Sequence, residues 1–383
     1  MNAAAAAALA RARDEFPLVK TCVYMNSNST GAVPRGVQAV LASYWETIAG
    51  WRDAVWERWW RDLHAYADAL AAFVGGPPGS VVTDVNLSSL LGRLLGALDF
   101  AERPTVVTTS LEFPTVPFLL HAHARRGARV RVVQARDGAS VVEADLVAAI
   151  DETTRLVCIS HAAFETGALV DLAPVVRKAH DVGAWVAVDA YQSVGVVPID
   201  VTALDVDFLL GGAHKWLCGS IETAFLYVHP RLVGQLEPPA TGWIASRDPL
   251  TFGPATAYAE TARRFASGTP AVLPALVSHV ALRILADVGV ESVREASLRM
   301  TSRVIERARA AGIEVVTPEA PGRRGGVVCL RFPGDARAVA DLEARGFVCS
   351  HRGGVRVAPH FYNTDDEVDA FMDALVDQAR RPS

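Results

Sequence analysis

Cysteine is scarce in this chain of 383 residues, and the copies present lie far apart in the sequence. They are five in number, an odd count, and no two of them form a CxxC pair: Cys22, Cys158, Cys218, Cys329 and Cys349. A disulfide framework and a zinc knuckle both need paired cysteines, so the sequence predicts neither. We therefore expect a protein of the reducing cytoplasm.

Basic charge, long apolar runs and nucleotide motifs are also missing. The chain has 37 Lys and Arg against 42 Asp and Glu, a formal net charge of -5, which leaves no surplus to neutralise nucleic-acid phosphates. No apolar run reaches the ~18 uninterrupted residues of a membrane span, and the Ala-rich start lacks the basic segment of a signal peptide. GxGxxG, P-loop and HExxH motifs do not occur. We expect neither nucleic acid nor a membrane as a partner.

What the sequence does contain, from about residue 100 onward, is an alternation of short β-branched segments with helical ones. The segments RPTVVTTS, TRLVCISHAA, AWVAVDA and VDFLLGGA are largely apolar, and stretches such as LAPVVRKAHDVG, with helical spacing, separate them. Strands that are apolar on both faces and alternate with helices are typical of a mostly parallel sheet covered on both sides. The predicted fold class is therefore α/β.

Changes of pattern predict three parts in the chain. Residues 1–20 form an N-terminal helical arm, residues 21–267 a large α/β domain, and residues 268–383 a smaller C-terminal α+β domain. The last part combines long helical stretches, such as PALVSHVALRILADVG, with the short strands GGVVCLRF and VRVAPHF. A chain with 51% hydrophobic residues can bury one large core and a smaller lobe.

A tryptophan-rich stretch, SYWETIAGWRDAVWERWW, is predicted to form one helix. Its tryptophans are too many for one core-facing stripe: Trp45, Trp51, Trp56, Trp59 and Trp60. We expect these rings to serve structural packing or a subunit interface rather than a binding platform.

Polar residues follow two consecutive predicted strands. Asp189 and Gln192 follow AWVAV, and His214 and Lys215 follow VDFLLGGA. Ligands of parallel α/β sheets bind beyond the carboxyl ends of the strands, so these side chains are expected to face one crevice. An amine that can form a Schiff base, near a carboxylate that keeps a pyridine nitrogen protonated, suits pyridoxal phosphate.

The phosphate of that cofactor needs backbone N–H groups and small hydroxyls at a helix N-terminus. VVTDVNLSSLLGRLLGAL offers Ser88 and Ser89 at the start of an apolar helix. Each part alone has an ordinary alternative, because an Asp at a strand end is often a turn or cap residue and a lone Lys is usually a surface charge. The parts point to a cofactor site because they occur together.

Five further motifs carry a resemblance to a known family: YMNSNSTGAVP, LEFPTVPF, TGWIASRDP, RRFASGTPAVLPAL and GGVRVAPHFYNTDDEVDAF. Over nearly its whole length the chain resembles the class V group of fold-type I pyridoxal phosphate enzymes. That group contains kynureninases, cysteine desulfurases, isopenicillin-N-epimerase-like proteins and some aminotransferases. The resemblance implies a large domain with a mostly parallel seven-stranded sheet and a smaller C-terminal α+β domain.

The resemblance also implies a role for each matching residue. Lys215 would be the catalytic residue and would bond covalently to the cofactor aldehyde. The other cofactor contacts would be Asp189 at the pyridine nitrogen, Gln192 at the phenolic oxygen, Phe113 on the ring face, and Ser88, Ser89 and His214 at the phosphate. Thr269 would reach the phosphate bound by a neighbouring subunit, which implies a homodimer with a shared active site. Arg356 would bind the carboxylate of an amino acid substrate, and Asn28 and Trp243 would lie near that substrate.

Several of these residues also have structural explanations when taken singly. Phe113 alone is more often a core residue, Arg356 alone a surface charge, His214 a structural histidine and Asn28 a turn residue. The surrounding motifs favour the functional interpretation.

The chain departs from the kynureninase pattern at three positions. Gln192 and His214 stand where kynureninases usually have His and Tyr, and both resemble the desulfurase and aminotransferase branches. Ser246 stands where the Gly-Trp loop is expected to have a histidine, which weakens the case for kynurenine as the substrate. For a cysteine desulfurase, Cys349 would have to be the nucleophile, but it is offset from the expected position and lies at an apolar strand end, where cysteines are usually structural.

We expect a kynureninase-like lyase or hydrolase that either hydrolyses a Cβ–Cγ bond or eliminates the sulfur of a cysteine conjugate. The composition, rich in Ala, Arg and Val, favours a bacterial specialised pathway. The alternatives are, in order, a class V aminotransferase, a cysteine desulfurase and a non-catalytic binding protein that keeps the fold.

Overall fold

Short apolar segments form the strands of the molecule, in the order that their alternation with helices predicts. The computed structural model describes residues 3–253 and 257–381. In these ranges the strands are β1 (Val23–Tyr24), β2 (Val81–Asp84), β3 (Thr105–Thr109), β4 (Arg129–Val133), β5 (Thr154–Ser160), β6 (Trp185–Asp189), β7 (Phe208–Gly212), β8 (Ala224–Val228), β9 (Glu314–Val315), β10 (Val328–Arg331), β11 (Phe347–Val348), β12 (Ser350–His351) and β13 (Val355–Val357).

Helices connect most of these strands. The α-helices of the described residues are α1 (Ala3–Arg13), α2 (Val37–Ala49), α3 (Val55–Phe73), α4 (Leu87–Gly96), α5 (Thr115–His123), α6 (Glu143–Ala148), α7 (Leu172–Asp181), α8 (Val201–Leu204), α9 (Pro230–Val233), α10 (Val272–Val288), α11 (Val290–Ala310), α12 (Asp335–Ala344) and α13 (Asp365–Ala379). Short 3-10 helices occur at Pro17–Lys20, Ala124–Arg126, Trp243–Ala245, Pro249–Thr251, Ala262–Phe265 and Pro321–Arg323.

The large sheet has seven strands in the order β2-β8-β7-β6-β5-β3-β4. The neighbours from β7 to β4 run parallel, whereas β8 is antiparallel to both β7 and β2. Along β6 the side chains of Val186 and Val188 join one hydrophobic cluster, and that of Ala187 joins a second cluster on the other face. The predicted mostly parallel seven-stranded sheet, apolar on both faces, is therefore confirmed.

A second sheet of four antiparallel strands, in the order β12-β13-β10-β9, forms the smaller α+β part with α11, α12 and α13. The short parallel pair of β1 and β11 joins the start of the chain to this part, with Val23 opposite Phe347. The predicted boundaries at 20 and 267 stay predictions. Residues 1–2, 254–256 and 382–383 of the predicted arm, large domain and small domain lie outside the described residues.

The prediction of one tryptophan-rich helix is wrong. Helix α2 ends at Ala49 and α3 begins at Val55, with Gly50 as the C-cap of α2. Glycine is a poor residue for a helix interior, so the chain turns here. Trp51, Trp56 and Trp59 then meet at ring-centroid distances of 5.4–5.9 Å, whereas Trp45 on α2 is 71% exposed.

Among the described residues, no single helix combines the length and apolarity of a membrane span. Helices α10 and α11 meet that standard only when joined across a bend of 81°.

Candidate active site

Adjacent strands of the large sheet end at one crevice. Asp189 closes β6 and pairs in register with Ser160, the last residue of β5. Lys215 lies three residues beyond the end of β7, which is the neighbour of β6. Gly212, the last residue of β7, faces the Tyr191 ring so closely that any Cβ there would overlap the ring. The glycines before Ala213 thus let the ring and the lysine share the crevice.

A cavity of about 350 Å³ occupies this crevice. Its wall contains eight of the predicted site residues: Asn28, Ser88, Phe113, Asp189, Gln192, His214, Lys215 and Arg356. The remaining three predicted residues, Ser89, Thr269 and Trp243, do not line it. The strand-end pattern and the family motifs therefore converge on one place in the structure.

The amine of Lys215 lies between two aromatic rings. Its Nζ is 4.7 Å from the centroid of the Tyr191 ring and 5.7 Å from that of Phe113. Burial lowers the pKa of Lys215 to about 8, and the positive charge of Arg356 adds to this, while Asp189 opposes it. Between pH 7 and 8, about a tenth to a half of this amine is therefore uncharged and nucleophilic.

The carboxylate of Asp189 is buried and has few partners. Its Oδ1 accepts the backbone N–H of Tyr191 at 2.9 Å. Burial raises the pKa of Asp189, whereas the Tyr191 N–H and the charge of Lys215 lower it. A buried anion with so little hydrogen bonding is suited to pair with a cationic ligand group.

A second buried acid, Glu112, lies beside this pair and was missed by the sequence prediction. Its carboxylate accepts hydrogen bonds from the hydroxyls of Thr109 and Ser160, each at 2.6 Å. Burial raises the pKa of Glu112 to about 7 against the effect of these hydroxyls. In the sequence, Glu112 is simply the residue before Phe113. No local pattern showed that β5 would bring Ser160 into contact with it.

Gln192 is held in one orientation by both ends of its amide. Its Nε2 donates to the carbonyl oxygen of Asn28 at 3.0 Å, and its Oε1 accepts from the indole N–H of Trp216 at 3.1 Å. The side-chain nitrogen and oxygen of Asn28 are buried at the same cavity and have no hydrogen-bond partner among the described residues. Such orphaned groups indicate a polar ligand that is bound at this point.

The N-terminus of helix α4 forms another wall of the cavity. Asn86 is its N-cap and accepts the Ser89 N–H at 2.8 Å, while the Ser88 hydroxyl lies 3.0 Å from that of Thr115. Asn86, Ser88 and Thr115 line the cavity, whereas Ser89 does not. Asn86 was missed, although an Asn directly before an apolar helical run is a recognisable N-cap.

Tyr191 and His214 form a hydrogen-bonded pair on the cavity wall. The Tyr191 hydroxyl lies 3.1 Å from Nδ1 of His214. Burial raises the pKa of Tyr191 and lowers that of His214 to about 4, so the phenol is protonated and the imidazole neutral near pH 7. Sequence reasoning missed Tyr191, which lies between the two predicted residues Asp189 and Gln192.

Arg356 reaches the cavity from β13 of the small sheet. One of its terminal nitrogens donates to the Phe164 carbonyl oxygen at 2.9 Å, and its Nε is buried without a partner. Burial lowers the pKa of Arg356 to about 10, and the charge of Arg352 adds to this effect. Arg352, which the sequence analysis did not select, lines the same cavity.

Two of the predicted residues lie elsewhere. Thr269 lines a separate cavity of about 100 Å³. Trp243 packs against Trp60 and Phe252, at centroid distances of 6.0 and 5.4 Å. The predicted contact of Thr269 with a neighbouring subunit and that of Trp243 with substrate stay predictions.

Cys349 is buried and lies outside the cavity wall. Burial raises the pKa of its thiol to about 12, so it stays protonated at neutral pH. A protonated thiol is a weak nucleophile.

Comparisons with known proteins find similar proteins over most of the chain. The family model described as aminotransferase class-V matches residues 89–371. An uncharacterized aminotransferase, YcbU, of Bacillus subtilis is 29% identical over 368 residues, which cover 95% of this chain and 96% of that protein. A kynureninase of Pseudomonas fluorescens is 28% identical over 365 residues, covering 90% and 85%. A cysteine desulfurase structure from Thermococcus onnurineus superposes with a TM-score of 0.86 at 20% identity, covering 97% and 98%.

Proposed function

Because this chain belongs to the aminotransferase class-V family and is a pyridoxal phosphate enzyme that acts on amino acids, we propose that its reaction removes a substituent from the substrate's side chain. The substituent leaves by hydrolysis of a Cβ–Cγ bond or by elimination of a β-sulfur. The observation that carries this proposal is one cavity that brings the basic amine of Lys215 close to the protonated phenol of Tyr191, while no cysteine of the described residues lines it.

The residues present fit the cofactor. The cavity of about 350 Å³ has an amine, a buried carboxylate and a helix N-terminus on its wall, together with the unpartnered amide of Asn28. Lys215 would hold the aldehyde, Asp189 the pyridine nitrogen, and the N–H groups of α4 with Ser88 the phosphate. When bound, pyridoxal phosphate withdraws electrons from the substrate's Cα and so stabilises a negative charge there.

Lys215 would have two tasks in this proposal. Its neutral amine would hold the cofactor, and its nitrogen, once free, would accept the proton from the substrate's Cα. A pKa of about 8 suits both tasks, because the amine must be unprotonated to attack and must still be basic enough to take a proton.

Asp189, Phe113 and Arg356 would position the reacting groups. The anionic carboxylate would favour a protonated ring nitrogen, and the ring of Phe113, which is 46% exposed and lines the cavity, would stack on the ring face. The unpartnered Nε of Arg356, together with a terminal nitrogen, would bind the substrate carboxylate in the two-point manner that a guanidinium allows.

The pair of Tyr191 and His214 favours removal of a leaving group over simple transamination. In an elimination the departing sulfur takes a proton, and in a Cβ–Cγ hydrolysis water adds its oxygen to Cγ while Cβ takes a proton; Lys215 has already taken one from Cα. The Tyr191 hydroxyl is protonated and hydrogen-bonded to a neutral imidazole, so it can donate its proton while His214 supports the phenol oxygen. In a transamination, Lys215 alone moves the proton.

The cavity gives less support to a cysteine desulfurase. That reaction needs a nucleophilic thiol at the substrate, and no cysteine of the described residues lines the cavity. Cys349 is buried with a raised pKa. The aminotransferase alternative is supported by the similarity to YcbU and is separated by the experiment below.

We further propose a homodimer in which Thr269 contacts the phosphate bound by the partner subunit. Thr269 does not line the active-site cavity of its own chain, which is consistent with a contact to the cofactor of the partner subunit. Large exposed side chains are available for the contact, among them Trp45 at 71% and Phe252 at 78% exposure. Sedimentation of the wild type and a Trp45→Glu variant would test the association.

The deciding experiment is a product assay of the cofactor-loaded enzyme with kynurenine, S-substituted cysteines and ordinary amino acids, each with and without an added keto acid. Pyruvate or alanine formed without a keto acid is the expected result. Turnover that depends on the keto acid would instead establish a transaminase. A Tyr191→Phe variant is expected to lose turnover while it keeps cofactor binding.

A further inference from the structure

The hairpin of β12 and β13 brings two arginines to the cavity. Arg352 occupies the turn between the strands and Arg356 lies in β13, and both line the same wall. The turn is built on Gly353 and Gly354, with φ of 62° and 154°. A Cβ at Gly354 would lie 2.6 Å from the Leu330 carbonyl oxygen, so the tight path of the hairpin requires glycine there.

The hairpin is anchored on both sides of Arg352. His351 Nε2 lies 3.0 Å from the Asp335 carboxylate on α12, and Arg331 Nε donates to the Gly353 carbonyl oxygen at 2.5 Å. These contacts fix the backbone around Arg352, whose exposed side chain lines the cavity. The fold therefore sets where this arginine enters the cavity.

The two guanidinium charges are not neutralised by the protein. Among the described residues, neither Arg352 nor Arg356 forms an ion pair with a carboxylate, and the Nε of Arg356 has no partner. Glu165 lies close enough to oppose the lowered pKa of Arg356, but it does not pair with either arginine. Arg356 is buried with an unpartnered Nε, whereas Arg352 is exposed to solvent, so both charges are available to the anions of a ligand.

The α-carboxylate of an amino acid supplies one anion, which Arg356 binds in the proposed function. The other charges of the cavity would have partners of their own there, since in the proposed function Asp189 would pair with the ring nitrogen and the N–H groups of α4 would hold the phosphate. Arg352, in the turn of the small sheet, is then the charged residue of the cavity that has no assigned partner.

We propose that Arg352 is a specificity-determining residue that binds a second acidic group, so that the substrate is an amino acid with an acidic side chain. This inference rests on the proposed function for the amino acid and the cofactor, and it adds the chemical class of the side chain. The second group is a carboxylate or another oxyanion, which a guanidinium binds in a two-point contact.

The test uses two ligands of nearly equal shape that differ by one charge, S-carboxymethyl-L-cysteine and S-carbamoylmethyl-L-cysteine. Their dissociation constants are measured from the cofactor's absorbance in the loaded wild type, in Arg352→Met, and in Arg337→Met, an exposed control on α12. The wild type and the control are expected to prefer the acid by roughly 10- to 100-fold, as for a charged hydrogen-bonded pair. Arg352→Met should lose that preference and keep its affinity for the amide and for the cofactor.

Other outcomes would overturn the inference. Equal affinity of the wild type for both ligands, or binding of neither, would show that no second acid is recognised. Equal weakening of both by Arg352→Met would mean that Arg352 shares the α-carboxylate with Arg356, and weaker cofactor binding would assign it to the phosphate. The products are assayed separately, so a transaminase that prefers the acid would refute the proposed lyase reaction and leave this inference intact.

Discussion

Two buried carboxylates on neighbouring strands show how differently the two edges of the large sheet are built. Asp207 precedes β7 at the amino edge, is 0% exposed, and bonds to Arg231 at 2.5 Å, His180 at 3.0 Å and the Val186 N–H at 2.8 Å. Asp189 closes β6 at the carboxyl edge, is 8% exposed, and accepts the Tyr191 N–H. The two carboxylates are similarly buried, but that of Asp207 accepts more hydrogen bonds than that of Asp189.

This difference separates a structural charge from a functional one. The partners of Asp207 compensate its desolvation within the protein, so it stabilises the packing of β7 against α7 and α9. Asp189 is left with a raised pKa beside Lys215, whose pKa is lowered. The poorly hydrogen-bonded carboxylate of Asp189 lowers the stability of the empty protein, and a bound ligand would compensate this cost.

Replacing each carboxylate by its amide is expected to give the largest effects. The variant of Asp189 should lose activity, whereas the variant of Asp207 should lose stability. Asp189→Asn should lower kcat by roughly 10²- to 10⁴-fold, because the ring nitrogen loses its anion, and should leave the unfolding free energy of the apoprotein equal or higher. Asp207→Asn should lower the unfolding free energy by about 2–4 kcal/mol, because the buried amide cannot accept from Arg231, His180 and the Val186 N–H together, with turnover per folded molecule within about twofold. Urea unfolding and steady-state kinetics measure both. A loss of stability for Asp189→Asn equal to that for Asp207→Asn would contradict the distinction.

The pH dependence of cofactor uptake sharpens the comparison. Only the neutral amine of Lys215 attacks an aldehyde, and its pKa in the folded protein is about 8, below the ordinary 10.5. Uptake by the apoprotein should therefore rise about tenfold per pH unit below 8 and level off above it. Stopped-flow absorbance between pH 6 and 10 follows this rate.

The same measurement on the two Asn variants serves as its control. Asp189→Asn should move the midpoint to lower pH, since Asp189 raises the pKa of Lys215, whereas Asp207→Asn should leave it in place. A wild-type midpoint near 10.5 would show that Lys215 is not desolvated.

The smallest effect is expected at Glu112. Its pKa in the folded protein, about 7, lies above the unfolded value of 4.5, so the folded state binds the proton more tightly and loses stability as the pH rises through this window. Glu112→Gln removes that titration and should raise the unfolding free energy by roughly 1–3 kcal/mol at pH 8 relative to wild type, with little change at pH 4.5. Urea unfolding at both pH values tests it, and an equal change at both would refute a raised pKa.

The contrast between the edges also explains what the sequence could predict. Lys215 and Asp189 follow apolar strands directly, and the carboxyl ends of parallel strands meet at one edge, so local pattern was enough to bring them together. Glu112, Tyr191 and Arg352 needed tertiary contacts: Glu112 depends on Ser160 of another strand, and Arg352 on a hairpin of the second sheet. No local pattern distinguished them from ordinary surface or core residues.

In the tryptophan-rich stretch, by contrast, a local pattern was present but predicted the wrong helix boundaries. Its helical spacing continued across Gly50, but the glycine ended α2 there, and the rings cluster instead across the break. Helical periodicity therefore gave the correct element type and the wrong boundary.

The central claim is that the Lys215 nitrogen bonds to pyridoxal phosphate, and reduction of the loaded enzyme with borohydride tests it most directly. The chain has only two other lysines, Lys20 and Lys178, so peptide mass spectrometry can assign the adduct without ambiguity. A phosphopyridoxyl group on the peptide that contains Lys215, absent from a Lys215→Ala variant that is also inactive, is the predicted result. An adduct on Lys20 or Lys178, or a Lys215→Ala enzyme that keeps its yellow colour and its turnover, would contradict the account.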